Sequence, residues 1–240
     1  MLYVVGFGCG ARECMTAEAE QAMLQSDVIV GYKTYTALMK PFFPDKQFVE
    51  NGMRQETARV RLALEYAQKQ TVSLICSGDP ELYGMAALTF EYLAEYPGTE
   101  IRIVPGITAA FSGGAVLGAP LTHDTAIISL SDLLTPMEKI EHRLRCAAEG
   151  DFVIVLYNPS SNQRADYLKK ACDIILQFRS PETVCGYVKN IGREGETSRI
   201  CLLSELRNEQ VDMFTTVYIG NSETRIIGGK MVTPRGYSHG

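Results

Sequence analysis

Short apolar segments alternate with longer amphipathic segments along most of the chain. The apolar segments of the first half are residues 2–5, 27–30, 72–76 and 101–104. Those of the second half are residues 126–129, 152–157, 183–188, 199–203 and 216–219. Several are nearly continuous in Val, Ile and Leu, which predicts strands that are covered on both faces of a sheet.

Helical patterns separate most of these predicted strands. They cover residues 16–26, 55–68, 85–95, 136–148 and 162–178. Thr16 is expected to cap the first helix, with Glu18 and Glu20 in or near its first turn. Strands that alternate with helices predict an α/β fold with a largely parallel sheet. No long helix separates residues 199–203 from 216–219, so these strands are expected to be antiparallel.

A boundary between two domains is predicted near residue 118. The segment GGAVLGAPLT, residues 113–122, is rich in Gly, Ala and Pro and follows a helix-like segment. A chain of 240 residues is long enough for two domains that each bury a core. We therefore predict two α/β domains, residues 1–117 and residues 118–240.

Composition and charge restrict the class of partner. The chain is 46% hydrophobic and 21% charged, as is typical of a folded soluble protein. Its net charge is −5 and it has no block of Lys and Arg, which argues against nucleic acid as a partner. No apolar run reaches the length of a membrane span, about 20 residues, and the first residues lack the pattern of a signal peptide. We expect a cytoplasmic protein without a membrane partner.

Cysteines and histidines give no sign of a disulfide framework or a metal centre. The seven cysteines are odd in number and widely spaced, without a CxxC pair. The three histidines, His123, His142 and His239, form no cluster with the spacing of metal ligands. We predict no metal site built by the protein.

The first candidate motif is GFGCG, residues 6–10, directly after the first predicted strand. Glycines let the backbone turn sharply and approach a ligand closely. A dinucleotide site would need the spacing GxGxxG and an acidic residue after the second strand, and both are missing here. Taken alone, this motif is explained slightly better by a tight turn without a ligand than by a dinucleotide site.

The second motif is SGDPELYG, residues 77–84, at the end of the strand predicted for residues 72–76. Loops at the carboxyl ends of strands line the ligand crevice of open α/β sheets. Asp79 could accept hydrogen bonds from an amine or a ribose hydroxyl. Taken alone, a helix cap for a helix that begins near Leu82 is the more common role for such an aspartate.

The third motif is VPGITAA, residues 104–110, and it also follows a predicted strand. Pro and Gly favour a turn, and the small residues allow close packing of the next helix or of a flat ligand. Entry into a helix, with Thr108 near its first turn, is the alternative. Three such turns at three strand ends of one half form a specific set.

This set resembles the tetrapyrrole methylases, which methylate uroporphyrinogen and cobalamin precursors. ISLSD (128–132), VLYNP (155–159), MVTPRGY (231–237) and GMRQE (52–56) are similar to one branch, the precorrin-3B C17-methyltransferases and their anaerobic counterparts, the cobalt-factor III methyltransferases. The similarity covers essentially the whole chain. One departure is Cys9, because the family's first motif usually reads GxGPG.

The resemblance implies a homodimer of two α/β domains with S-adenosylmethionine folded in the cleft between them. It implies methylation at C17 coupled to contraction of the macrocycle, which needs a base and a hydrogen-bond donor or acid. The residues expected to contact the donor are Gly8, Cys9, Ser77, Gly78, Asp79, Leu82, Thr108, Ala109, Tyr157, Asn158, Ile191 and Gly192. The candidates for catalysis are Tyr32, Arg54, Ser129 and Asp132. The candidates for binding the tetrapyrrole are Lys33, His123, Ser131, Arg193 and Arg235, in which the cations would pair with the carboxylates of the macrocycle.

Three other functions compete with this interpretation. A methyltransferase of the same fold could act on another tetrapyrrole position, on RNA or on a protein; the acidic charge and the second-half motifs argue against RNA and protein. A nicotinamide-dependent oxidoreductase lacks the expected acidic residue. A tetrapyrrole-binding protein without activity would not need the complete set of donor motifs.

Overall fold

A computed structural model describes residues 1–161 and 165–237 of the chain. The chain divides into two compact units, Met1–Ala109 and Ala110–Gly240. The units therefore meet along the chain at the start of the helix Ala109–Leu117, whereas the boundary predicted from the sequence, between residues 117 and 118, lies at the end of this helix.

The first unit is a parallel sheet with helices on both faces. Its strands are β1 Leu2–Gly6, β2 Val28–Tyr32, β3 Gln47–Asn51, β4 Val72–Cys76 and β5 Ile101–Val104. Its helices are α1 Ala17–Gln25, α2 Lys33–Met39, α3 Glu56–Ala67 and α4 Ala86–Tyr92, with 3₁₀ turns at Arg12–Cys14 and Leu93–Glu95. The strand order is β3-β2-β4-β1-β5, and every pairing is parallel.

Alternate residues of these strands fill two separate hydrophobic clusters. Val4 and Leu74 belong to the cluster that includes residues of α3, whereas Val5 and Ile75 belong to the cluster that includes residues of α1. Because strand side chains alternate between faces, the near-continuous apolar strands bury both sides of the sheet.

Helix α1 begins as the sequence predicts. The Thr16 hydroxyl oxygen accepts a hydrogen bond of 3.1 Å from the Ala19 amide, and Glu18 and Glu20 lie in the first turn. An N-cap hydroxyl and acidic residues both stabilise the amino end of a helix.

The second unit is built on a mixed sheet. Its helices are α5 Ala109–Leu117, which starts at the last residue of the first unit, α6 Met137–Glu149, α7 Tyr167–Ile175 and α8 Leu203–Leu206. Its strands are β6 Gly118–Ala119, β7 Thr125–Ser129, β8 Val153–Tyr157, β9 Val184–Lys189, β10 Thr197–Leu202, β11 Thr215–Ile219, β12 Arg225–Ile227 and β13 Lys230–Val232. The main sheet has the order β10-β9-β11-β8-β7, and β6, β12 and β13 form a small sheet of their own.

The direction of the strands brings three strand ends to one edge of this sheet. Strands β7 and β8 are parallel, and β11 is antiparallel to both β8 and β9. The carboxyl ends of β7, β8 and β9 therefore lie at the same edge. Strands β10 and β11 are each antiparallel to β9, but they lie on its two sides and therefore run parallel to each other, so the expectation that these two strands are antiparallel to one another is wrong.

Several elements differ from the sequence predictions. Strand β3 and helix α2 were not predicted. The helix predicted for residues 162–178 is observed only as α7, Tyr167–Ile175, and residues 162–164 lie outside the described part of the chain. Among the described residues, no helix combines the length and the apolar character needed to cross a membrane.

Candidate functional site

Three glycine-rich turns meet at the carboxyl ends of neighbouring strands in the first unit. The first turn, residues 6–10, follows β1; the second, residues 77–84, follows β4; and the third, residues 105–109, follows β5. Strand β1 pairs with both β4 and β5, so the sheet places the three turns side by side. This edge is where open α/β sheets bind ligands.

Two backbone hydrogen bonds join the first turn to the second. The Gly78 amide donates to the Gly8 carbonyl at 2.7 Å, and the Gly8 amide donates to the Gly78 carbonyl at 3.2 Å. The φ angles of Gly8 and Gly78 are 74° and 70°, in the left-handed region that favours glycine. The spacing GxGxG therefore serves a contact between two turns.

Close approach of the backbones also requires glycine at residues 6 and 106. A Cβ atom on Gly6 would lie 2.6 Å from the Gly78 carbonyl oxygen and 2.7 Å from the Gly106 nitrogen. A Cβ atom on Gly106 would collide with the carbonyl oxygens of Gly6 and Gly78. The three turns can approach this closely only without side chains at these positions.

Asp79 ties the second turn to the third. Its Oδ1 accepts from the Glu81 amide at 2.8 Å, and its Oδ2 accepts from the Gly106 amide at 3.0 Å. The expectation that Asp79 caps a helix near Leu82 is wrong, because α4 begins only at Ala86 with Met85 as its N-cap residue. The carboxylate instead fixes two backbone amides of the candidate site.

The other donor candidates of the first unit lie in the same turns. Cys9 and Thr108 are buried, whereas Ser77, Leu82 and Ala109 are half-buried. Burial raises the pKa of the neighbouring Cys76 thiol to about 11, so this cysteine at the end of β4 stays a neutral thiol near pH 7.

The remaining candidates of the first unit follow β2 and β3, on the other side of β4. Tyr32 ends β2, and its ring packs edge-on against Tyr35 with the centroids 5.2 Å apart. Lys33 begins α2 and is exposed. Arg54 is exposed in the loop after β3, with a φ angle of 61°, which is uncommon for a residue with a side chain.

In the second unit, Ser129 and Asn158 connect two strand ends. The Ser129 hydroxyl oxygen accepts from the Asn158 side-chain amide at 3.0 Å and from the Ser131 backbone amide at 3.2 Å. Asn158 follows β8 directly and has a φ angle of 52°. Strand order therefore brings together Ser129, Ser131 and Asn158, which the sequence could only name separately.

Two phenols bind the backbone amide and carbonyl of Ala110, at the start of α5. The Tyr157 hydroxyl oxygen accepts from the Ala110 amide at 2.8 Å, and the Tyr218 hydroxyl donates to the Ala110 carbonyl at 3.0 Å. Tyr218 is fully buried, and burial raises its phenol pKa. Tyr218 was not singled out in the sequence, where it reads as an ordinary residue of an apolar strand.

The turn after β9 carries the last donor candidates. Asn190 and Gly192 have φ angles of 52° and 64°, and Ile191 between them is buried. The Gly192 amide donates to Glu196 Oε2 at 2.6 Å, and the Arg193 amide donates to the Asn190 carbonyl at 2.9 Å. This tight turn lies at the same sheet edge as Ser129 and Asn158.

Comparison with known proteins decides the family. The profile described as Tetrapyrrole (Corrin/Porphyrin) Methylases matches residues 1–207. The chain belongs to the tetrapyrrole methylase family. It is therefore a methyltransferase that takes its methyl group from S-adenosylmethionine, and the predicted family, enzyme class and methyl donor are confirmed.

Two curated relatives and one solved structure resemble this tetrapyrrole methylase over nearly its full length. The "Probable cobalt-factor III C(17)-methyltransferase" of Salmonella typhimurium is 45% identical over 240 residues, which cover 99% of this chain and 100% of the relative. The "Cobalamin biosynthesis protein CbiHC" of Archaeoglobus fulgidus is also 45% identical over 99% of this chain, but the chain spans only 53% of that protein. The solved methyltransferase CobJ is 36% identical, with a TM-score of 0.90 over 97% of this chain and 99% of CobJ. This structural likeness confirms the predicted α/β fold class.

Asp132, His123 and Arg235 of this tetrapyrrole methylase lie in three different segments of the second unit. Asp132, in the loop after β7, accepts a hydrogen bond of 2.7 Å from the Tyr167 hydroxyl. His123 precedes β7, so it lies at the opposite edge of the sheet from Ser129, and its Nδ1 accepts from the Asp124 amide at 2.9 Å. Arg235 is exposed in the segment after β13. The sheet order thus does not bring His123 to Ser129, Ser131 or Asn158.

Within residues 1–161 and 165–237, no three His, Cys, Asp or Glu side chains group in a way that could hold a metal ion. His239 lies outside the described residues.

Proposed function

We propose that this chain transfers the methyl group of S-adenosylmethionine to C17 of a corrin precursor, with contraction of the macrocycle, in cobalamin biosynthesis. The observation that carries the proposal is the set of three joined turns at the carboxyl ends of β4, β1 and β5, in a chain of this family. The substrate is either cobalt-factor III or the metal-free precorrin-3B, and the relative from Salmonella typhimurium carries the name of the cobalt compound.

The turns of the first unit fit an adenosyl ligand. Gly8 and Gly78 present backbone without side chains, which allows a flat ligand to approach closely. The donor contacts are assigned to these turns and to the strand-end turns of the second unit. They are Gly8, Cys9, Ser77, Gly78, Asp79, Leu82, Thr108, Ala109, Tyr157, Asn158, Ile191 and Gly192.

S-adenosylmethionine supplies a methyl group that its sulfonium already activates. The chain mainly has to hold donor and acceptor in line, which lowers the barrier through proximity and orientation. Tyr32, Ser129 and Asp132 are the candidates that hold or move the proton of the ring hydroxyl, and Arg54 is a candidate hydrogen-bond donor that stabilises the departing electron density. Among them, Asp132 is already oriented by the Tyr167 hydroxyl, and Ser129 by two amide donors.

Carboxylates of the macrocycle need cations that are accessible to solvent. Arg54, Arg235 and Lys33 are exposed, and Arg193 lies in the turn after β9. Guanidinium groups bind carboxylates through two parallel hydrogen bonds, whereas an ammonium acts as a point charge. His123 and Ser131 complete the set proposed for the substrate.

We also propose that the enzyme acts in the cytoplasm as a homodimer. All seven cysteines are free thiols, which suits a reducing compartment. The homodimer rests on the resemblance to the family, and sedimentation of the purified chain tests it.

The assignment is tested with the purified wild-type chain. Calorimetry is expected to give a dissociation constant for S-adenosylhomocysteine of about 1 μM or below, which corresponds to a binding free energy of about −8 kcal/mol or more negative. Mass spectrometry should find a methylated product from precorrin-3B or from cobalt-factor III, and the more reactive of the two identifies the substrate. Absence of S-adenosylhomocysteine binding, or methylation of RNA without methylation of either tetrapyrrole, would refute the proposal. Binding of NAD without binding of S-adenosylhomocysteine would favour an oxidoreductase.

Asp79→Ala is expected to weaken the binding of S-adenosylhomocysteine by about 10- to 100-fold. The substitution removes a charged acceptor from the amides of Glu81 and Gly106, and each such hydrogen bond contributes about 1.5–3 kcal/mol. Cys9→Ala is the matched variant in the neighbouring turn, and it should change the affinity by less than about threefold. Calorimetry on both variants measures the difference. Equal losses for the two would show that Asp79 has no special part in holding the turns.

A further inference from the structure

Arg59 is a buried cation that joins three segments of the first unit. It lies on α3 and is only 3% exposed. Its Nε donates to Asn51 Oδ1 at 2.7 Å, and its Nη2 donates to the Gly52 carbonyl at 2.8 Å. Its Nη1 lies 3.6 Å from the Met85 sulfur, at the start of α4. The guanidinium thus uses its planar set of donors on groups from two different loops.

The same guanidinium lies over the ring of Tyr32. The distance from its central carbon to the ring centroid is 5.7 Å, within the range of a cation–π contact. Tyr32 ends β2, and Asn51 ends β3. Arg59 therefore contacts the ends of two neighbouring strands.

Stability alone gives a weak reason for this arrangement. Within residues 1–161 and 165–237, no carboxylate forms an ion pair with Arg59, and burial lowers the pKa of its guanidinium. The group still carries its charge, because arginine is not deprotonated in proteins. A buried charge is expensive, and an apolar side chain of similar volume often stabilises a protein as well or better.

The loop that Arg59 holds presents Arg54 to solvent. The Gly52 carbonyl accepts from Arg59, and the Gly52 amide donates to Gln55 Oε1 at 2.9 Å. Gly52 is thereby fixed through both of its backbone polar groups. Met53 and Arg54 follow at the exposed tip, where Arg54 has its left-handed φ angle of 61°. An uncommon backbone conformation of this kind persists where the surroundings fix it.

We propose that Arg59 is a positioning residue for the tetrapyrrole: it fixes the loop of residues 51–55 and the ring of Tyr32 so that Arg54 can pair with a carboxylate side chain of the macrocycle. The inference rests on the proposed function. The proposal assigns the methyl acceptor and the methyl donor to different parts of the first unit. Strands β2 and β3, which carry Tyr32 and the loop of Arg54, lie on one side of β4, whereas β1 and β5, which precede two of the three donor turns, lie on its other side. A defect at Arg59 should therefore affect the two ligands unequally.

The test compares Arg59→Met with Arg61→Met on the same helix. Arg61 is half-exposed, pairs with Glu95 at 3.1 Å and lies 4.5 Å from the Tyr92 ring centroid, away from the loop. Arg59→Met should raise KM for the tetrapyrrole by at least about tenfold, lower kcat as well because Tyr32 and Arg54 are also candidates for catalysis, and leave the Kd of S-adenosylhomocysteine within about twofold. Arg61→Met should match the wild type in all three quantities. Added guanidinium ion should restore part of the KM of an Arg59→Ala variant, and ammonium should not.

Arg59→Lys keeps the charge but cannot reproduce the planar set of donors, so it provides a second variant if Arg59→Met does not fold. It should show the same rise in KM. Amide exchange of peptides that cover residues 47–55 should be faster in Arg59→Lys than in Arg61→Met, whichever tetrapyrrole is the substrate. A normal KM in a folded Arg59 variant, or parallel losses of donor and acceptor binding, would overturn the inference. A wild type that binds no S-adenosylhomocysteine would contradict the proposed function instead, and loop exchange would then still decide whether Arg59 positions the loop.

Discussion

Gly6→Ala is expected to abolish measurable binding of S-adenosylhomocysteine, with a loss of affinity of about 100-fold or more. The added Cβ would lie 2.6 Å from the Gly78 carbonyl oxygen, 2.7 Å from the Gly106 nitrogen and 2.8 Å from Pro80 Cδ. Two of these neighbours are backbone atoms, which cannot move aside by a change of rotamer. The methyl group must therefore separate the first turn from the other two. Overpacking of this kind also destabilises a protein by about 1–3 kcal/mol.

Gly98→Ala is the control for a glycine substitution in the same unit. Gly98 has a φ angle of 83°, so alanine is strained there, but its Cβ would meet no atom within 4 Å. This variant should lose some stability and keep the affinity of the wild type for S-adenosylhomocysteine. Calorimetry and thermal unfolding of both variants separate the two effects. If Gly6→Ala binds the ligand as Gly98→Ala does, the contact between the turns is unnecessary for donor binding.

The sequence predicted the central strands well because both of their faces are buried. Val72–Cys76 is observed with the predicted bounds, and all five of its residues are buried. Strand β3 was missed for the opposite reason. Its sequence, QFVEN, lies at the edge of the sheet with no residue fully buried, so hydrophobicity gives little sign of a strand.

The candidate site was predictable in its parts but not in its connections. The motifs named Gly8, Gly78 and Asp79, but their hydrogen bonds join residues that are far apart in the chain. The role of Asp79 was therefore mistaken for a local helix cap. A local pattern indicates which residue types occur at a turn, whereas the strand order decides which turns meet.

Two buried arginines are the second feature that the sequence did not predict. Arg59 and Arg179 are 3% and 7% exposed, and neither was singled out, because arginine is usually a solvated surface residue. Their partners are mainly uncharged oxygens, which for Arg59 are the Asn51 amide and the Gly52 carbonyl and for Arg179 are backbone carbonyls 27 to 41 residues away. Such partners leave no charge pattern in the sequence, so only the structure distinguishes these two arginines from the others.

Arg179→Met is expected to lower the free energy of unfolding by about 3–5 kcal/mol, because it takes a donor from several buried backbone carbonyls, and each buried acceptor that loses its donor costs about 1–3 kcal/mol. Arg179 Nε donates to the Ala148 carbonyl at 3.2 Å, and Nη2 donates to the carbonyls of Phe152 at 2.7 Å and Ala147 at 3.3 Å. Nη1 donates to the Gly220 carbonyl and lies 3.5 Å from Asp151 Oδ1. The guanidinium thereby binds the last carbonyls of α6, which lack partners within the helix, and its charge suits that end of the helix dipole.

Arg207→Met separates this effect from the loss of an ordinary ion pair. Arg207 contacts both oxygens of Asp173, but at a partly exposed site, where ion pairs contribute little to stability. Urea unfolding followed by circular dichroism should place Arg207→Met close to the wild type and Arg179→Met far below it. Amide exchange in Arg179→Met should increase most in peptides from α6 and β11, because the lost donors fix the ends of those two elements. Equal stability of the two variants would mean that water or neighbouring groups replace the guanidinium, and that the end of α6 does not depend on Arg179.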